Sequence, residues 1–173
     1  MPELNRLSPE AFQSAEKLPV VLVLDNVRSG LNVGSVFRTA DAFAVERVIL
    51  CGITAQPPHR EILKTALGST ESVLWSYAGD TQDAVQALRA SGYLVYAVEQ
   101  TNRKVWLQVF QPEAGKRYAF VFGNEVDGVG DAVLQRCDGA VEIPQFGTKH
   151  SLNIAVAAGI VVWEVARKIK LQP

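Results

Sequence analysis

The chain is poor in cysteine and histidine, and it carries no large excess of charge of either sign. Its 173 residues include two cysteines and two histidines, and the formal net charge is -1 at pH 7. Cys51 and Cys137 form no CxxC pair and the histidines are not clustered, so we expect no metal site and a reduced, cytoplasmic protein whose cysteines fill space. The near-neutral charge excludes a large basic field. Any contact with nucleic acid therefore has to come from a local patch or an assembled surface.

Long hydrophobic runs and the common nucleotide-binding loops are also missing. The longest apolar stretch, 154–163, ends at Glu164 and is well short of the roughly 20 residues that a membrane span requires. It predicts a buried helix and no membrane association, and we find no secretory leader pattern. The patterns GxGxxG and GxxxxGK(S/T) do not occur, which argues against a Rossmann dinucleotide site and a P-loop.

Short apolar runs alternate with helical patterns along nearly the whole chain. The runs that predict strands lie at 20–24, 47–50, 72–75, 93–98, 118–122 and 140–143. Helices are predicted at 8–17, 33–42, 62–67, 80–90, 131–136 and 152–170, with Ser8 and Asp80 as possible N-caps. The two longest irregular stretches are 52–60 and 99–117.

This alternation indicates an α/β fold with an open, mostly parallel sheet of about six strands flanked by helices. We expect a single domain over residues 1–173, made of a leader helix within 1–18 and a core at 19–170. No internal repeat or interdomain linker interrupts the pattern.

Three polar and glycine-rich clusters each follow directly on an apolar run. They span residues 32–39 (NVGSVFRT), 122–125 (FGNE) and 143–153 (IPQFGTKHSLN). In an open parallel sheet, ligands bind in the crevice beyond the carboxyl ends of the strands. The three clusters are therefore expected to converge on one pocket.

Each cluster taken alone also allows a simpler interpretation. Asn32 can be an N-cap and Arg38 a solvated helix residue, or the Arg38 guanidinium can meet a phosphate bidentately. Glu125 can belong to a solvated turn, or its carboxylate can accept hydrogen bonds at the sheet edge. Either Ser151 or Asn153 can cap the last helix, although capping does not need both.

Together, the three clusters in this order and at these spacings resemble the signature motifs of the SpoU (TrmH) family. That family consists of RNA 2′-O-ribose methyltransferases within the SPOUT superfamily, and the resemblance covers roughly residues 19–169. It implies a C-terminal trefoil knot, S-adenosylmethionine as cofactor, a homodimer, and tRNA or rRNA as the RNA partner. A dimer would concentrate basic residues in a composite cleft, namely Arg28, Arg38, Arg60, Lys64 and Lys149.

The resemblance also implies which residues form the site. The polar catalytic set carried over by position is Asn32, Arg38, Glu125, Ser151 and Asn153. The cofactor-binding positions are Gly123, Ile143 and Leu152, with Thr101 as a further candidate in the loop after the fourth strand, and no metal is required. In this interpretation Arg38 promotes loss of the ribose 2′-hydroxyl proton, either as base or as electrostatic stabiliser of the alkoxide.

Two alternatives stand beside this function. One is a methyltransferase of the same superfamily that modifies an RNA base, which digestion of the product to nucleosides would reveal. The other is a non-catalytic dimeric module that binds RNA or senses the cofactor. The presence of every polar residue of the three motifs argues against the second alternative.

Overall fold

One sheet of parallel strands organises the protein, as the computed structural model shows for residues 7–171. Its seven strands are β1 (Leu18–Asp25), β2 (Val45–Cys51), β3 (Trp75–Ala78), β4 (Tyr93–Val98), β5 (Lys104–Trp106), β6 (Arg117–Phe122) and β7 (Gly139–Glu142). Their order in the sheet is β3-β2-β1-β6-β4-β7-β5, and every neighbouring pair is parallel. The predicted open parallel α/β fold is thus confirmed.

The helices connect these strands and cover both faces of the sheet. They are α1 (Pro9–Ser14), α2 (Gly30–Ala42), α3 (Arg60–Ala66), α4 (Ser69–Ser72), α5 (Thr81–Ala90), α6 (Asp131–Leu134) and α7 (Ile154–Lys170). Ser8 and Asp80 cap α1 and α5 as predicted, since their side chains accept from the amides of Ala11 and Gln82. The leader helix is shorter than the predicted 8–17, because the chain is already extended at Ala15. Residues 1–6 of the predicted leader segment, 1–18, lie outside the described residues.

Three local predictions differ from the structure. The predicted strand at 72–75 is displaced: Ser72 ends helix α4, where its hydroxyl donates to Asp41 Oδ1 at 2.5 Å, and β3 begins only at Trp75. Strand β5 lies in the predicted irregular stretch 99–117, and its three residues are all exposed, so no apolar alternation marked it. Asn32 is not an N-cap, because α2 begins earlier and Ser29 accepts from the Asn32 amide.

Strand β1 lies near the centre of the sheet, and its side chains alternate between two cores. Leu22 packs on one face with Phe37 of α2 and Val162 of α7. Val23 packs on the other face in a cluster that includes Val85 of α5. Because both faces are covered, the strand reads as a continuous apolar run in the sequence.

The last helix, α7, packs against the sheet with its buried side chains. Ala158, Val161 and Val165 of α7 are buried against the sheet, as the sequence predicted for this segment. Within residues 7–171, no helix combines the length and the apolar composition needed to span a membrane.

Strand β7 inserts between β4 and β5, so the chain returns to the sheet between two earlier strands. The trefoil knot itself stays an expectation from the resemblance.

Candidate active site

A pocket of about 460 Å³ lies where the chain leaves the carboxyl ends of β4, β6 and β7. Five of the predicted site residues line it: Gly123, Glu125, Ile143, Ser151 and Leu152. They come from two of the three sequence clusters, which the structure brings together at one edge of the sheet. Asn32 of the remaining cluster, 32–39, reaches this edge through a hydrogen bond to Glu125.

Gly123 owes its identity to close backbone packing. A Cβ atom at this position would lie 2.0 Å from the carbonyl carbon of Gly128. The turn between these glycines is fixed by Asn124, whose Oδ1 accepts from the amides of Val126 and Asp127 at 3.0 and 2.9 Å. The glycine therefore shapes the loop that carries Glu125.

A chain of side-chain hydrogen bonds joins three of the predicted polar residues. Asn32 Nδ2 donates to Glu125 Oε1 at 2.6 Å, and Asn153 Nδ2 donates to Asn32 Oδ1 at 3.1 Å. The three residues lie on α2, on the loop after β6 and at the start of α7. We call this set the amide relay.

The direction of the amide relay is set by the N-terminus of helix α7. Asn153 caps this helix, and its Oδ1 accepts from the amides of Ala155 and Val156 at 2.9 and 3.4 Å. With the oxygen so engaged, the NH2 group of Asn153 is the one that faces Asn32. Asn32 must then present its oxygen to Asn153 and its NH2 group to the carboxylate of Glu125. The cap thus orients every group of the relay.

The loop after β7 is fastened to the loop after β4. Gln100 Nε2 donates to the backbone carbonyl of His150 at 2.8 Å, and both residues line the pocket. Glu99 also lines it, with its carboxylate accepting from the amides of Val129 and Gln100 at 3.0 and 2.9 Å. Sequence reasoning missed Glu99 and Gln100, although their place directly after β4 was a signal. Thr101 lies one residue beyond the lining, where its hydroxyl accepts from the Arg103 amide.

The pocket lining is acidic. Its carboxylates are those of Glu99, Glu125, Asp127, Asp131 and Glu142, and among the described residues no lysine or arginine lines it. Glu142 is buried and pairs with Lys104 of β5 at 2.6 Å. A lining of this kind favours a ligand that carries positive charge.

Arg38 lies apart from this pocket. It is exposed and lines a separate surface concavity of about 410 Å³ that Lys64 also lines. Arg38 and Asn32 are six positions apart on α2, so they project from different sides of the helix. The other basic residues named from the sequence are exposed but do not line either cavity: Arg28, Arg60 and Lys149.

Neither cysteine is set up for chemistry. Burial raises the pKa of the Cys51 thiol to about 12 and that of Cys137 to about 11. Both side chains are therefore protonated thiols at neutral pH, in line with the space-filling role predicted for them. Between residues 7 and 171, no group of three or more His, Cys, Asp or Glu side chains is arranged to hold a metal ion.

A parallel sheet with a ligand-sized pocket and an oriented set of polar groups beyond its strand ends is the arrangement of a ligand-binding protein of the α/β class. Comparison with protein families narrows the class, because the SpoU rRNA methylase family model matches residues 19–163. The chain belongs to the SpoU rRNA methylase family.

Individual relatives agree with this membership. The 23S rRNA (guanosine-2'-O-)-methyltransferase RlmB of Neisseria meningitidis serogroup B is 28% identical over 159 residues, which is 92% of this chain and 62% of the relative. The AdoMet-bound rRNA methyltransferase of Sinorhizobium meliloti superposes with a TM-score of 0.81 at 30% identity, over 94% of this chain and 61% of that one. The chain spans about 60% of the length of the curated relatives it matches.

A third similarity is to a solved structure whose whole chain is covered by the match. A solved structure that addresses the 2-OH methylation of C/U34 on tRNA has a TM-score of 0.79 and 25% identity to this chain. The similarity covers 90% of this chain and 100% of the other.

Proposed function

We propose that this protein transfers a methyl group from S-adenosylmethionine to the ribose 2′-hydroxyl of a tRNA or rRNA, and that it acts as a homodimer. The observation that carries the proposal is the amide relay, in which Asn32, Glu125 and Asn153 hold one another in a single orientation beside the pocket. Such preorganised polar groups suit a reaction that depends on positioning a hydroxyl.

The pocket fits S-adenosylmethionine in size and in charge. Its volume of about 460 Å³ lies in the range of small-ligand sites, and Ile143 and Leu152 give it apolar walls. The acidic lining complements the positive sulfonium of the cofactor. When bound, the cofactor supplies an electrophilic methyl group, and the Sinorhizobium meliloti relative is described with AdoMet bound.

The residues of this chain then position the ribose. Glu125 accepts a hydrogen bond from a ribose hydroxyl, while Asn32 keeps its carboxylate in place. Ser151 is exposed and lines the pocket, so its hydroxyl can donate to a phosphate oxygen or accept from the reacting hydroxyl. Glu125 and Ser151 thus contact the same nucleotide, with Asn32 in support, and the protein forms no covalent bond to it.

Within a single chain, Arg38 lies outside this arrangement. We assign it to the pocket of the partner subunit, where its guanidinium acts on the 2′-hydroxyl as base or as stabiliser of the developing alkoxide. Two observations support the assignment. Arg38 is exposed and outside its own chain's pocket. Helix α7, which packs on α2, exposes an apolar stripe of Val156, Ile160 and Trp163 that a second copy would cover.

The central experiment uses S-adenosylmethionine labelled on its methyl group, with total tRNA and total rRNA as acceptors. Ribose methylation protects the adjoining phosphodiester from alkali, so alkaline hydrolysis should leave the label in dinucleotides. Label in mononucleotides would identify a base methyltransferase instead. Cofactor binding without label in any RNA would favour a non-catalytic module.

Mixing two inactive variants tests the shared site. Arg38→Ala and Glu125→Ala should each abolish most turnover, and Arg38→Ala should leave S-adenosylmethionine affinity nearly unchanged because Arg38 lies outside the pocket. If Arg38 serves the partner's pocket, co-expressed variants regain about a quarter of the wild-type activity, because half of the dimers are mixed and each has one complete site. A mixture as inactive as its components would contradict the assignment.

A further inference from the structure

The loop at 143–153 carries a fully exposed aromatic ring. Phe146 is 97% exposed, more than any other large hydrophobic residue described. Val126, on the loop after β6, is 88% exposed and lines the pocket. Scattered exposed apolar residues are normal on soluble proteins, but here the two most exposed ones belong to the two loops that form one pocket.

The loop that carries Phe146 is held at both ends. On one side, Ile143 packs against the hydrophobic core directly after β7. On the other, the His150 carbonyl accepts from Gln100, and Asn153 is tied into both the relay and the cap of α7. The ring therefore projects from a segment whose ends are fixed, and ordering it against a ligand costs little conformational entropy.

The chemistry next to the ring matches a nucleotide. Lys149 is exposed three positions along the same loop, and His150 and Ser151 follow it at the pocket. Aromatic rings beside cations are the elements with which proteins hold unpaired nucleotides, since bases stack on the ring and phosphates meet the cation. The pocket lining itself is acidic, so Lys149, which lies next to the lining residue His150 in the sequence, marks the side from which a polyanion can approach.

We propose that Phe146 is a stacking platform for an unpaired RNA base next to the target ribose, and that Lys149 contacts the adjoining phosphate. The inference rests on the RNA methyltransferase function proposed above, and it gives the substrate a feature: the modified nucleotide lies in a loop or single-stranded segment, not in a duplex. Phe146 acts as a binding residue here and takes no part in methyl transfer.

The test measures the affinity of the full chain for an unpaired RNA of about 12 nucleotides and for the same strand annealed to its complement. Phe146→Ala should weaken binding of the unpaired strand about tenfold, equivalent to about 1.4 kcal/mol, and Phe146→Tyr should restore it to within about twofold. Phe146→Leu should behave like Phe146→Ala, because it keeps an apolar side chain but not the ring. Lys149→Ala should lower the slope of log affinity against log salt by about 0.7.

Controls separate stacking from other effects of the substitutions. Leu74→Ala removes another exposed side chain, at the amino end of β3 and so at the opposite edge of the sheet, and should leave RNA affinity unchanged. Affinity for S-adenosylmethionine should be equal in all variants. Unchanged RNA affinity in Phe146→Ala would overturn the proposal, and so would a shift of its monomer–dimer equilibrium, which would place the ring in the subunit interface.

The outcome is distinguishable from a failure of the proposed function. Wild-type protein that binds the unpaired RNA through Phe146 but transfers no methyl group to any RNA would refute the catalytic proposal and support the stacking platform. Wild-type protein that methylates RNA, together with a Phe146→Ala variant whose KM for RNA is unchanged, would support the catalytic proposal and refute the stacking platform.

Discussion

The two ends of helix α7 hold polar networks of opposite kinds. At its start, Asn153 is exposed and links to Asn32 and Glu125 through the amide relay. Near its end, Lys168 is buried, and its ammonium pairs with Glu164 at 2.9 Å. The same ammonium donates to the backbone carbonyls of Leu107, Gln108 and Phe110 at 3.2, 2.9 and 2.6 Å.

The two networks differ in whether their hydrogen-bonding groups remain accessible to a ligand. The three N–H donors of the Lys168 ammonium are engaged by these acceptors and the side chain is buried, so this network presents no free donor to a ligand. It anchors the segment after β5 to helix α7. Glu125 of the relay is instead exposed and lines the pocket, where substrate can replace water. We infer that the end of α7 serves stability and that its start serves function, and each prediction below tests that division.

The largest expected effect is on stability, in Lys168→Met. Methionine keeps the apolar length of the lysine stem but leaves three backbone carbonyls without their donor, while Glu164 keeps only its hydrogen bonds from Arg167. We expect the free energy of unfolding to fall by about 3 kcal/mol, measured by urea denaturation. At temperatures where the variant is folded, its affinity for S-adenosylmethionine should equal that of the wild type.

Lys170→Met is the matched control for this substitution. Lys170 pairs with Glu16 at 3.3 Å on the surface, where ion pairs contribute less than about 1 kcal/mol. Equal destabilisation by both variants would show that burial does not distinguish the end of α7, and the comparison would fail.

The next effect is on turnover, in Asn32→Ala. Loss of the central relay residue frees the carboxylate of Glu125 to rotate, so we expect kcat to fall about 100-fold, or about 2.7 kcal/mol. Unfolding by urea should change by less than about 0.5 kcal/mol, because the lost hydrogen bonds are exposed. Gln86→Ala removes an exposed amide on α5 and should change neither quantity. A stability loss like that of Lys168→Met would contradict the functional assignment.

Asn153→Asp separates the two roles of one residue. An aspartate still caps α7, and its charge suits the helix N-terminus, so stability should be retained. The lost NH2 group forces Asn32 to turn its amide around, which places an oxygen against Glu125. We expect kcat to fall about thirtyfold, or about 2 kcal/mol. Asn153→Ala should in addition lose about 1 kcal/mol of stability, and a fully active Asn153→Asp would show that relay direction is irrelevant.

Much of the fold and part of the site follow from the sequence for a simple reason. Strands buried on both faces occur as continuous apolar runs in the sequence, so the central strands could be predicted. Polar clusters after such runs share one sheet edge, which is why Glu125, Ser151 and Leu152 meet at the pocket. These inferences need only the pattern of burial along the chain.

The remaining features depend on contacts between distant segments. Strand β5 has no buried face in this chain, so its sequence carries no periodic signal. The direction of the amide relay follows from which oxygen caps α7, and that is a fact of geometry rather than of residue type. The position of Arg38 outside the pocket also became visible only in three dimensions. Motif membership groups residues without saying which of them meet in one pocket.

Asp25 challenges the division between the two ends of α7, because it is a buried polar group on the side of the sheet where the pocket lies. It ends β1 and is only 4% exposed. Its Oδ1 accepts from Thr81 Oγ1 at 2.5 Å and from Asn26 Nδ2 at 3.0 Å. If burial decides the role, as Lys168 suggests, Asp25 contributes to stability and not to activity.

The smallest expected effect is therefore a change in pH dependence, in Asp25→Asn. Burial raises the pKa of Asp25, and the charge of Asp80 adds to this, against the opposing hydrogen bond from Thr81. The native state thus keeps the proton to a higher pH than the unfolded chain does, so the carboxyl lowers the free energy of unfolding as pH rises from about 3.9 through the raised value. Asparagine does not titrate, and the wild-type advantage over the variant should shrink across that window in urea denaturation. A difference that grows with pH, or a loss of methyl transfer in Asp25→Asn, would show that position at the sheet edge outweighs burial.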